Sequence, residues 1–457
     1  MTSTPPSDNR FRVSAAQARD LVRQFGTPLY VVDEAHFRGR IREYLGAFRA
    51  AYPRSELSFA TKANSTLALI AIAHREGCSI DVASEGELRA ALAAGVPASA
   101  CYFHGNNKTR AELAFAIEQG IGHIVLDHFG EIEMVAELGV PAGTNVILRL
   151  APGVDPVTHH KISTGQADTK FGFNIADGSA EQATVRCLEH GLPLYGFHCH
   201  VGSQLLDPEA QRSGGELIAS FAVEMKEKHG FAAGYLNVGG GLGVRYTGDE
   251  EPMPIGEYCA LVVEAVRNAL GDSGLDPILG QEPGRALVSE SGVTLYTVGV
   301  VKTVPAPGRG SRTYVAVDGG LSDNPRPALY GSKYEIGRVL RGTATHTEPA
   351  DPLDRLGNFG ASLPAGPGTM TVTVSGKHCE TDKLFEDVEL PDDTSPGDVL
   401  QVLCTGAYNS SMASNYNRYP RPATVLIRED GGFSLIQRRE TWEEMLAREI
   451  VPTELLP

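Results

Sequence analysis

The sequence predicts an α/β protein in which a TIM-type (β/α)8 barrel is joined to a second, all-β domain of sandwich or barrel type. Five short β-type runs recur about every 22 residues in the first half of the chain, and a helix-like stretch follows each of them. Three further runs complete the barrel, so that its strands begin near Leu57, Ser79, Cys101, His123, Asn145, Leu194, Tyr235 and Pro277. Beyond residue 290 the pattern changes to alternating, β-branched runs, which are typical of an all-β domain.

The chain divides into three predicted segments. Residues 1–45 contribute a strand from Pro28 to Asp33 to the β domain and begin a helix that runs from Glu34 to Ala51. Residues 46–290 form the barrel. Residues 291–457 form the β domain, with strands expected at Thr294 to Val304, Thr313 to Val317, Thr369 to Val374, Val399 to Leu403 and Thr424 to Ile427. Between Thr343 and Thr369 a Gly-, Pro- and Ala-rich stretch without periodicity predicts a long surface loop or a disordered insert.

Composition narrows the class of protein. A chain of 457 residues suits a barrel of about 250 residues with a smaller partner domain. The net charge of −16, without a basic run, argues against binding to nucleic acid or to an anionic membrane surface. Seven scattered cysteines with no Cys-x-x-Cys spacing favour reduced thiols in a cytoplasm over disulfides or a zinc site, so no metal is expected. The polar N-terminus predicts no signal peptide, and no apolar run reaches the ~20 residues of a membrane span.

Polar residues cluster where the predicted barrel strands end. They are Lys62, Asp81, His104, His198, His200, the glycines from Gly239 to Gly241, and the segment from Glu282 to Arg285. Chemistry in a (β/α)8 barrel takes place at the C-terminal ends of its strands. The cluster is therefore the predicted active site.

Lys62 and the glycine run together indicate a cofactor. Lys62 follows an apolar strand at the barrel mouth, where a desolvated lysine has a lowered pKa and forms a Schiff base with an aldehyde. The natural aldehyde is pyridoxal phosphate, whose phosphate needs closely approaching backbone N–H groups, and Gly239 to Gly243 provides them. A lone lysine is usually a surface charge, and a lone glycine run is often a flexible turn. Their combination at two strand ends predicts a pyridoxal phosphate enzyme with Lys62 as its catalytic lysine.

Three further side chains are assigned to this cofactor. Glu282 ends the eighth strand and is expected to place its carboxylate against the pyridine nitrogen, which makes the ring a strong electron sink. His198 and His200 alternate on their strand, so only one of them faces the mouth. The glycine and serine that follow favour His200 as the ring that stacks on the cofactor and Ser203 as its hydroxyl partner. His198 is then expected to be a core histidine with its hydrogen bonds satisfied.

Nine short motifs follow one another along the chain between about residues 25 and 445. They are Phe59-Ala-Thr-Lys-Ala-Asn64, Asp81-Val-Ala-Ser84, His198-Cys-His-Val-Gly-Ser-Gln204, the Gly239 run, Glu282-Pro-Gly-Arg285, Arg326-Pro-Ala-Leu-Tyr330, His378-Cys-Glu380, Gly406-Ala-Tyr408 and Ser414-Asn-Tyr-Asn417. In type and order they resemble the motifs of diaminopimelate decarboxylases, which belong to the fold-type III pyridoxal phosphate decarboxylases. The resemblance implies conversion of meso-2,6-diaminopimelate to L-lysine and CO2, the last step of lysine biosynthesis. It also implies a homodimer with active sites at the subunit interface.

The resemblance implies a role for each matching residue. Lys62 would carry the cofactor, and its other contacts would be Asp81, His200, Ser203, Gly240, Gly241, Glu282, Gly284, Arg285 and Tyr408. The substrate would be held by Arg285, Arg326, Tyr330, Glu380 and Tyr408. Cys379 would protonate the carbanion, and it would arrive with Glu380 from the neighbouring subunit.

These residue types suit diaminopimelate, which carries an amino acid group at each end. Arg285 and Arg326 can each grip a carboxylate through a planar fork, and Glu380 can accept from the distal ammonium. The family usually continues Cys-Glu-Ser-Gly-Asp, whereas this chain has Cys379-Glu-Thr-Asp-Lys383 beside the expected distal pocket. A related decarboxylase acting on ornithine, arginine, carboxynorspermidine or a carrier-bound aminoacyl group is therefore an alternative.

Two other classes of protein fit the sequence less well. A racemase of the same barrel class would place an arginine beside the pyridine nitrogen, where Glu282 is expected here. A catalytically inactive homologue would serve as a binding or regulatory protein. Lys62, Cys379 and Glu282 are all present, which favours an enzyme.

Overall fold

The computed structural model describes residues 8–153, 169–308, 310–342, 368–381 and 383–456. The chain forms two compact units. One comprises Phe37–Arg245 and Asp249–Ser289, and the other comprises the N-terminal segment up to His36, Tyr246–Gly248 and the chain from Glu290 onward. This division assigns residues 37–45 to the first unit, whereas the sequence boundary was expected after residue 45. Apart from its last two residues, the insert expected between Thr343 and Thr369 lies outside the described residues.

The strands are β1 Leu29–Asp33, β2 Ser55–Ala60, β3 Ser79–Val82, β4 Cys101–Phe103, β5 His123–Leu126, β6 Asn145–Ala151, β7 Phe173–Asn174, β8 Leu194–Cys199, β9 Tyr235–Asn237, β10 Ile278–Gln281, β11 Gly292–Ala306, β12 Gly310–Val317, β13 Ile336–Leu340, β14 Thr369–Ser375, β15 Phe385–Pro391, β16 Val399–Val402, β17 Ala423–Ile427 and β18 Phe433–Gln437. The helices are α1 Ala15–Phe25, α2 Glu34–Ala51, α3 Leu67–Arg75, α4 Glu85–Ala93, α5 Arg110–Glu118, α6 Phe129–Leu138, α7 Ser179–Glu189, α8 Glu209–His229, α9 Ile255–Leu270, α10 Arg285–Val288, α11 Arg326–Tyr330 and α12 Trp442–Leu446. Among the described residues, no helix combines the length and the apolar composition needed to cross a bilayer.

The first unit is a closed parallel barrel. Its strands pair in the order β2-β3-β4-β5-β6-β8-β9-β10, and β10 pairs with β2 to close the ring. The short strand β7 pairs with β6 outside this ring. All the barrel strands lie where the sequence predicts them, so the (β/α)8 prediction is confirmed. The strand β7 was not predicted, because two residues carry no periodic signal.

Local sequence explains how the barrel elements form. The strands are apolar runs, because helices cover a parallel barrel and leave little of a strand exposed. Ser84 caps α4 by accepting from the N–H of Glu87, and Thr109 forms a capping box with Glu112 at the start of α5. The loops between strand and helix therefore have defined ends, which fixes the polar residues that follow each strand.

The second unit contains one mixed sheet. Its strands pair in the order β15-β14-β12-β11-β1-β17-β18, and β16 pairs with both β11 and β13. The N-terminal strand β1 lies between an antiparallel neighbour, β11, and a parallel neighbour, β17. The prediction that this strand joins the C-terminal sheet is therefore confirmed. The strands β13, β15 and β18 were not predicted, because polar and charged residues on their exposed faces interrupt the apolar pattern.

Candidate active site

Lys62 lies on a short 3-10 turn, Thr61–Ala63, directly after β2. Thr61 fixes this turn to the next strand, because its hydroxyl donates to the carbonyl of Asp81 at 2.8 Å. Gly284 packs against the turn from the loop after β10, and a Cβ there would lie 2.8 Å from a side-chain carbon of the turn. The position of Lys62 is therefore set by three neighbouring strand ends.

The side chain of Lys62 is exposed in this chain. The burial expected from its place after an apolar strand is therefore not found for this residue. Its positive charge still acts on buried groups below it, namely the carboxyls of Asp81 and Glu282 and the imidazoles of His104 and His200. Lys62 thus lies above a polar cluster inside the barrel.

The carboxylate of Glu282 lies at the centre of that cluster. Its Oε1 is 2.8 Å from Nε2 of His198, and its Oε2 is 3.3 Å from Nε2 of His104. Asn237 donates to the same Oε2 from 3.3 Å. Asp81 lies at the edge of the cluster, with Oδ1 3.7 Å from Nε2 of His104. The ends of β4, β8 and β9 therefore contribute side chains that contact this one buried carboxylate.

The two carboxyl groups of the cluster have opposite pKa shifts. Burial raises the pKa of Asp81 well above its ordinary value, and the neighbouring charge of Glu282 adds to this effect. Burial alone would also raise the pKa of Glu282, but His198, His104 and Lys62 stabilise its ionised form and hold that pKa well below its ordinary value. The environment of the pair therefore favours the negative charge on Glu282 over one on Asp81.

The run from Gly239 to Gly241 is glycine because no larger residue fits. A Cβ at Gly239 would lie 2.5 Å from the carbonyl oxygen of Cys199, and one at Gly240 would lie 2.5 Å from that of Glu282. Gly239 and Gly241 also have φ angles of +76° and +134°, which L side chains rarely adopt. The run therefore brings bare backbone to the rim of the barrel, where an anionic group can approach it closely.

Two N–H groups of the run are already hydrogen-bonded within the chain. Gly239 donates to Oδ1 of Asn237 at 2.8 Å, and Gly240 donates to Nδ1 of His200 at 3.3 Å. Burial holds the pKa of His200 well below its ordinary value, so this ring is neutral and its Nδ1 acts as an acceptor. His200 thus contacts the glycine run, and its stacking on the cofactor stays a prediction. The prediction that His198 is an ordinary core histidine is incomplete, because its ring braces Glu282.

Arg285 and Ser203 form the other side of the rim. Arg285 is buried at the start of α10, and its Nε and Nη2 lie 3.2 Å and 3.0 Å from the hydroxyl of Ser203. The loop after β8 is thereby joined to the loop after β10. A guanidinium in this place supplies the planar fork that phosphate and carboxylate groups bind.

The second unit brings together three of the residues predicted to bind substrate. Arg326 is buried on α11, and its guanidinium carbon lies 5.4 Å from the ring centres of both Tyr330 and Tyr408. It also lies 6.0 Å from the ring centre of Tyr246, and Nη2 donates to Ser332 at 3.3 Å. Arg326 is therefore a buried cation in an aromatic enclosure.

Cys379 and Glu380 lie on an exposed segment of the same unit. The N–H of Cys379 donates to Oδ1 of Asn417 at 2.9 Å, and Glu380 accepts from the hydroxyl of Tyr416. Cys379 is exposed, whereas the other six cysteines are buried. Its thiol is thus available to groups outside the sheet.

Comparison with known proteins identifies the family. Residues 38–289 match the family model described as pyridoxal-dependent decarboxylase, pyridoxal binding domain. Over 451 residues the chain is 43% identical to the diaminopimelate decarboxylase of Bacillus subtilis (strain 168), which covers 97% of this chain and 96% of that protein. The chain belongs to the diaminopimelate decarboxylase family. Another member, from Actinosynnema pretiosum subsp. auranticum, is 42% identical over 95% of this chain and 91% of its own length.

Solved structures of the diaminopimelate decarboxylase family share the fold. The enzyme from M. jannaschii matches with a TM-score of 0.85 and 33% identity over 98% of both chains. The enzyme from Helicobacter pylori, complexed with L-lysine, matches with a TM-score of 0.78 and 29% identity. That match covers 94% of this chain and 98% of the other.

The residues of the barrel fit the pyridoxal phosphate of this family. The ionised carboxylate of Glu282 matches the need of a pyridine nitrogen that keeps its proton. The glycine run presents backbone without side chains at the rim, and Arg285 adds a buried cation for a phosphate. Lys62 supplies the amine at the mouth.

Sequence reasoning missed three residues of these clusters. Asn237 ends β9 immediately before the glycine run, and this position was the available signal. Arg149 on β6 lies 3.8 Å from Asp127, and its charge acts on Asp81 and Glu282. Tyr246, which contacts Arg326, lies far from it in sequence, so no local pattern connects the two.

Proposed function

We propose that this protein is a pyridoxal phosphate-dependent carboxy-lyase that converts meso-2,6-diaminopimelate to L-lysine and CO2. The observation that carries the proposal is the buried, ionised Glu282 at the end of β10, beneath a lysine and beside a glycine run. Similarity to proteins named diaminopimelate decarboxylase over nearly their whole length supports the choice of substrate. We further infer that the enzyme acts in the cytoplasm, because its cysteines lie in a pattern typical of reduced thiols.

The barrel residues have distinct roles in this proposal. When bound, pyridoxal phosphate supplies an electron sink for the electron pair released as the bond between Cα and the carboxylate breaks. Glu282 would accept a hydrogen bond from the protonated ring nitrogen and so maintain that sink. Lys62 would carry the cofactor, His200 would pack against its ring, and Asp81 would add a carboxyl beside Glu282 whose pKa is raised by burial.

Phosphate binding is assigned to the rim of the barrel. Gly240, Gly241 and Gly284 allow close approach of the backbone, and Arg285 and Ser203 provide a cation and a hydroxyl. Tyr408 is proposed to contact the cofactor as well as the substrate.

The substrate is proposed to be held by charges that match its two ends. Arg285 and Arg326 bind carboxylates through their planar forks, and Tyr330 and Tyr408 enclose Arg326. Glu380 accepts from the distal ammonium. Cys379 returns a proton to Cα after CO2 has left, and we propose that Cys379 and Glu380 act on the site of the neighbouring subunit in a homodimer.

Chemical labelling tests the cofactor assignment. Purified protein loaded with pyridoxal phosphate is expected to absorb visible light, and borohydride is expected to fix the cofactor covalently to Lys62. Peptide mapping identifies the labelled lysine. Lys62→Ala should abolish labelling, whereas Lys228→Ala, at a surface lysine of the same unit, should leave it unchanged. Labelling of another lysine in the wild-type protein would reject Lys62.

Release of CO2 from a panel of amino acids tests the substrate. Diaminopimelate should be preferred to lysine, ornithine and arginine by about 10⁴-fold, because a site built for polar groups rejects analogues that leave those groups unpaired. Arg326→Ala should lower kcat/KM for diaminopimelate by about a hundredfold or more, since it leaves a substrate carboxylate unpaired. The exposed Arg428→Ala in the same unit is the control and should change little. Equal turnover of ornithine or arginine would favour the related decarboxylases instead.

A further inference from the structure

Asn237 lies inside the barrel with both polar atoms of its side chain engaged. Its Oδ1 accepts the N–H of Gly239 at 2.8 Å, and its Nδ2 donates to Oε2 of Glu282 at 3.3 Å and to the hydroxyl of Tyr235 at 3.2 Å. Turning the amide over would place Nδ2 against an N–H donor and Oδ1 against a carboxylate. Only one of the two orientations of the Asn237 side-chain amide is therefore favourable.

Gly239 joins the same two residues through its backbone. Its N–H donates to Asn237, and its carbonyl accepts the N–H of Glu282 at 3.0 Å. Its left-handed conformation, and the carbonyl oxygen of Cys199 that would lie 2.5 Å from a Cβ at this position, restrict the site to glycine. Asn237, Gly239 and Glu282 therefore form a closed triangle of hydrogen bonds between the ends of β9 and β10.

Tyr235 anchors this triangle from below. Its ring stacks between Tyr102 and Tyr195, at centroid distances of 5.6 Å and 5.8 Å. Its hydroxyl can lie against β10 because residue 280 is glycine, where a Cβ would lie 2.2 Å from the hydroxyl oxygen. The acceptor that orients Asn237 is thus held by a rigid aromatic stack.

We propose that Asn237 is a positioning residue for cofactor binding, which holds the carboxylate of Glu282 and the first turn of the glycine run at a fixed separation. The inference rests on the proposed function, in which Glu282 and the glycine run bind opposite ends of the cofactor. Asn237 acts through Glu282, because its Nδ2 is directed at that carboxylate. A hydrogen bond to a buried charge is stronger than one between neutral groups, so its loss should be measurable.

A double-mutant cycle on cofactor affinity tests the proposal. Apoprotein is prepared from wild type, Asn237→Ala, Glu282→Gln and the double variant, and each is titrated with pyridoxal phosphate. We expect Asn237→Ala to weaken binding about tenfold in the wild-type background and by less than about threefold beside Glu282→Gln. If Asn237 served only the stability of the barrel, Asn237→Ala would weaken cofactor binding by the same factor with Glu282 as with Glu282→Gln.

A second variant keeps the test valid if Asn237→Ala does not fold. Tyr235→Phe preserves the aromatic stack and removes only the hydroxyl that orients Asn237, and it should weaken binding about threefold, again with less effect beside Glu282→Gln. Tyr195→Phe is the matched control, because it removes a hydroxyl from the same stack without touching Asn237. Circular dichroism of each apoprotein confirms folding.

The possible outcomes separate this proposal from the proposed function. Absence of pyridoxal phosphate binding by the wild-type protein would overturn the proposed function and this inference with it. Binding by the wild-type protein with unchanged affinity in Asn237→Ala, or equal factors in both backgrounds, would overturn the inference alone. A coupled loss of affinity, with Tyr195→Phe unchanged, supports it. The pH dependence of the bound cofactor's absorption should also shift in Asn237→Ala, because Glu282 loses its hydrogen bond from Asn237.

Discussion

Single residues in this protein owe their chemistry to burial and to the partners that burial gives them. Asp81 and Glu282 are both carboxyl groups inside the barrel, but neighbouring His198, His104 and Lys62 lower the pKa of Glu282, whereas burial raises the pKa of Asp81. A third buried carboxyl, Asp323, lies in the second unit. Burial raises its pKa to about 7, although hydrogen bonds from Tyr296 and from the N–H of Gly320 oppose the shift.

Asp323 predicts a dependence of stability on pH. Because its pKa is raised in the folded protein, the unfolded chain loses this proton first as the pH rises from 3.8 towards about 7. The free energy of unfolding therefore falls as the pH rises. The fall is on the order of a few kcal/mol, and it is complete once the pH exceeds the pKa of Asp323 in the folded protein. Asp323→Asn lacks this titration, so its unfolding temperature should increase relative to wild type between pH 5 and pH 8, as measured by thermal unfolding.

The exposed Asp430→Asn serves as the control for that series. The pKa of Asp430 is lowered by its hydrogen bonds with Arg428, so its titration favours folding as the pH rises, opposite in sign to that of Asp323. A difference between wild type and Asp323→Asn that stays constant or shrinks with rising pH would contradict the assignment.

At the scale of elements, a buried ion pair joins two loops of the barrel. Lys108, before α5, donates to the carbonyls of Gly105 and Val125 at 2.8 Å and 2.7 Å and to Oε2 of Glu131 at 3.0 Å. Glu131, in the first turn of α6, also accepts the N–H of Asp127 at 2.8 Å. The starts of two successive helices are therefore held by one pair of charges.

Removal of Lys108 should destabilise this part of the barrel. Lys108→Met leaves the carboxylate of Glu131 buried and unpaired, which we expect to lower the free energy of unfolding by about 3 kcal/mol. Urea denaturation measures the change. Lys228→Met removes a surface lysine of α8 from its ion pairs with Glu181 on α7 and Glu224 on α8, and it should have no measurable effect, because solvent screens such pairs. Equal effects of the two substitutions would refute the distinction between buried and exposed pairs.

At the scale of the whole molecule, the residues assigned to the reaction are distributed over two compact units. Lys62 belongs to the barrel unit, and Cys379 belongs to the β unit. The family resemblance implies that these two residues meet across a homodimer rather than within one chain. Such an arrangement makes activity depend on assembly, which mixing of variants can detect.

Mixed dimers provide the measurement. Lys62→Ala and Cys379→Ala should each be impaired as homodimers. After joint unfolding and refolding, half of the dimers should be mixed, with one unaltered site each, so activity should recover to about a quarter of wild type. Each variant refolded alone is the control. Failure to recover activity, when subunit exchange is confirmed by mass, would count against a shared site.

The sequence by itself determined the barrel, the N-terminal strand of the β unit and the cofactor-binding character of the chain. Period-two and helical patterns report on local backbone, and the strand ends then place Lys62, Glu282 and the glycine run at one rim. Only the tertiary structure decided that Lys62 is exposed and that Asn237 links Glu282 to the glycine run. These features depend on closure of the barrel, which brings together residues far apart in sequence and sets their solvent exposure. No local pattern carries that information.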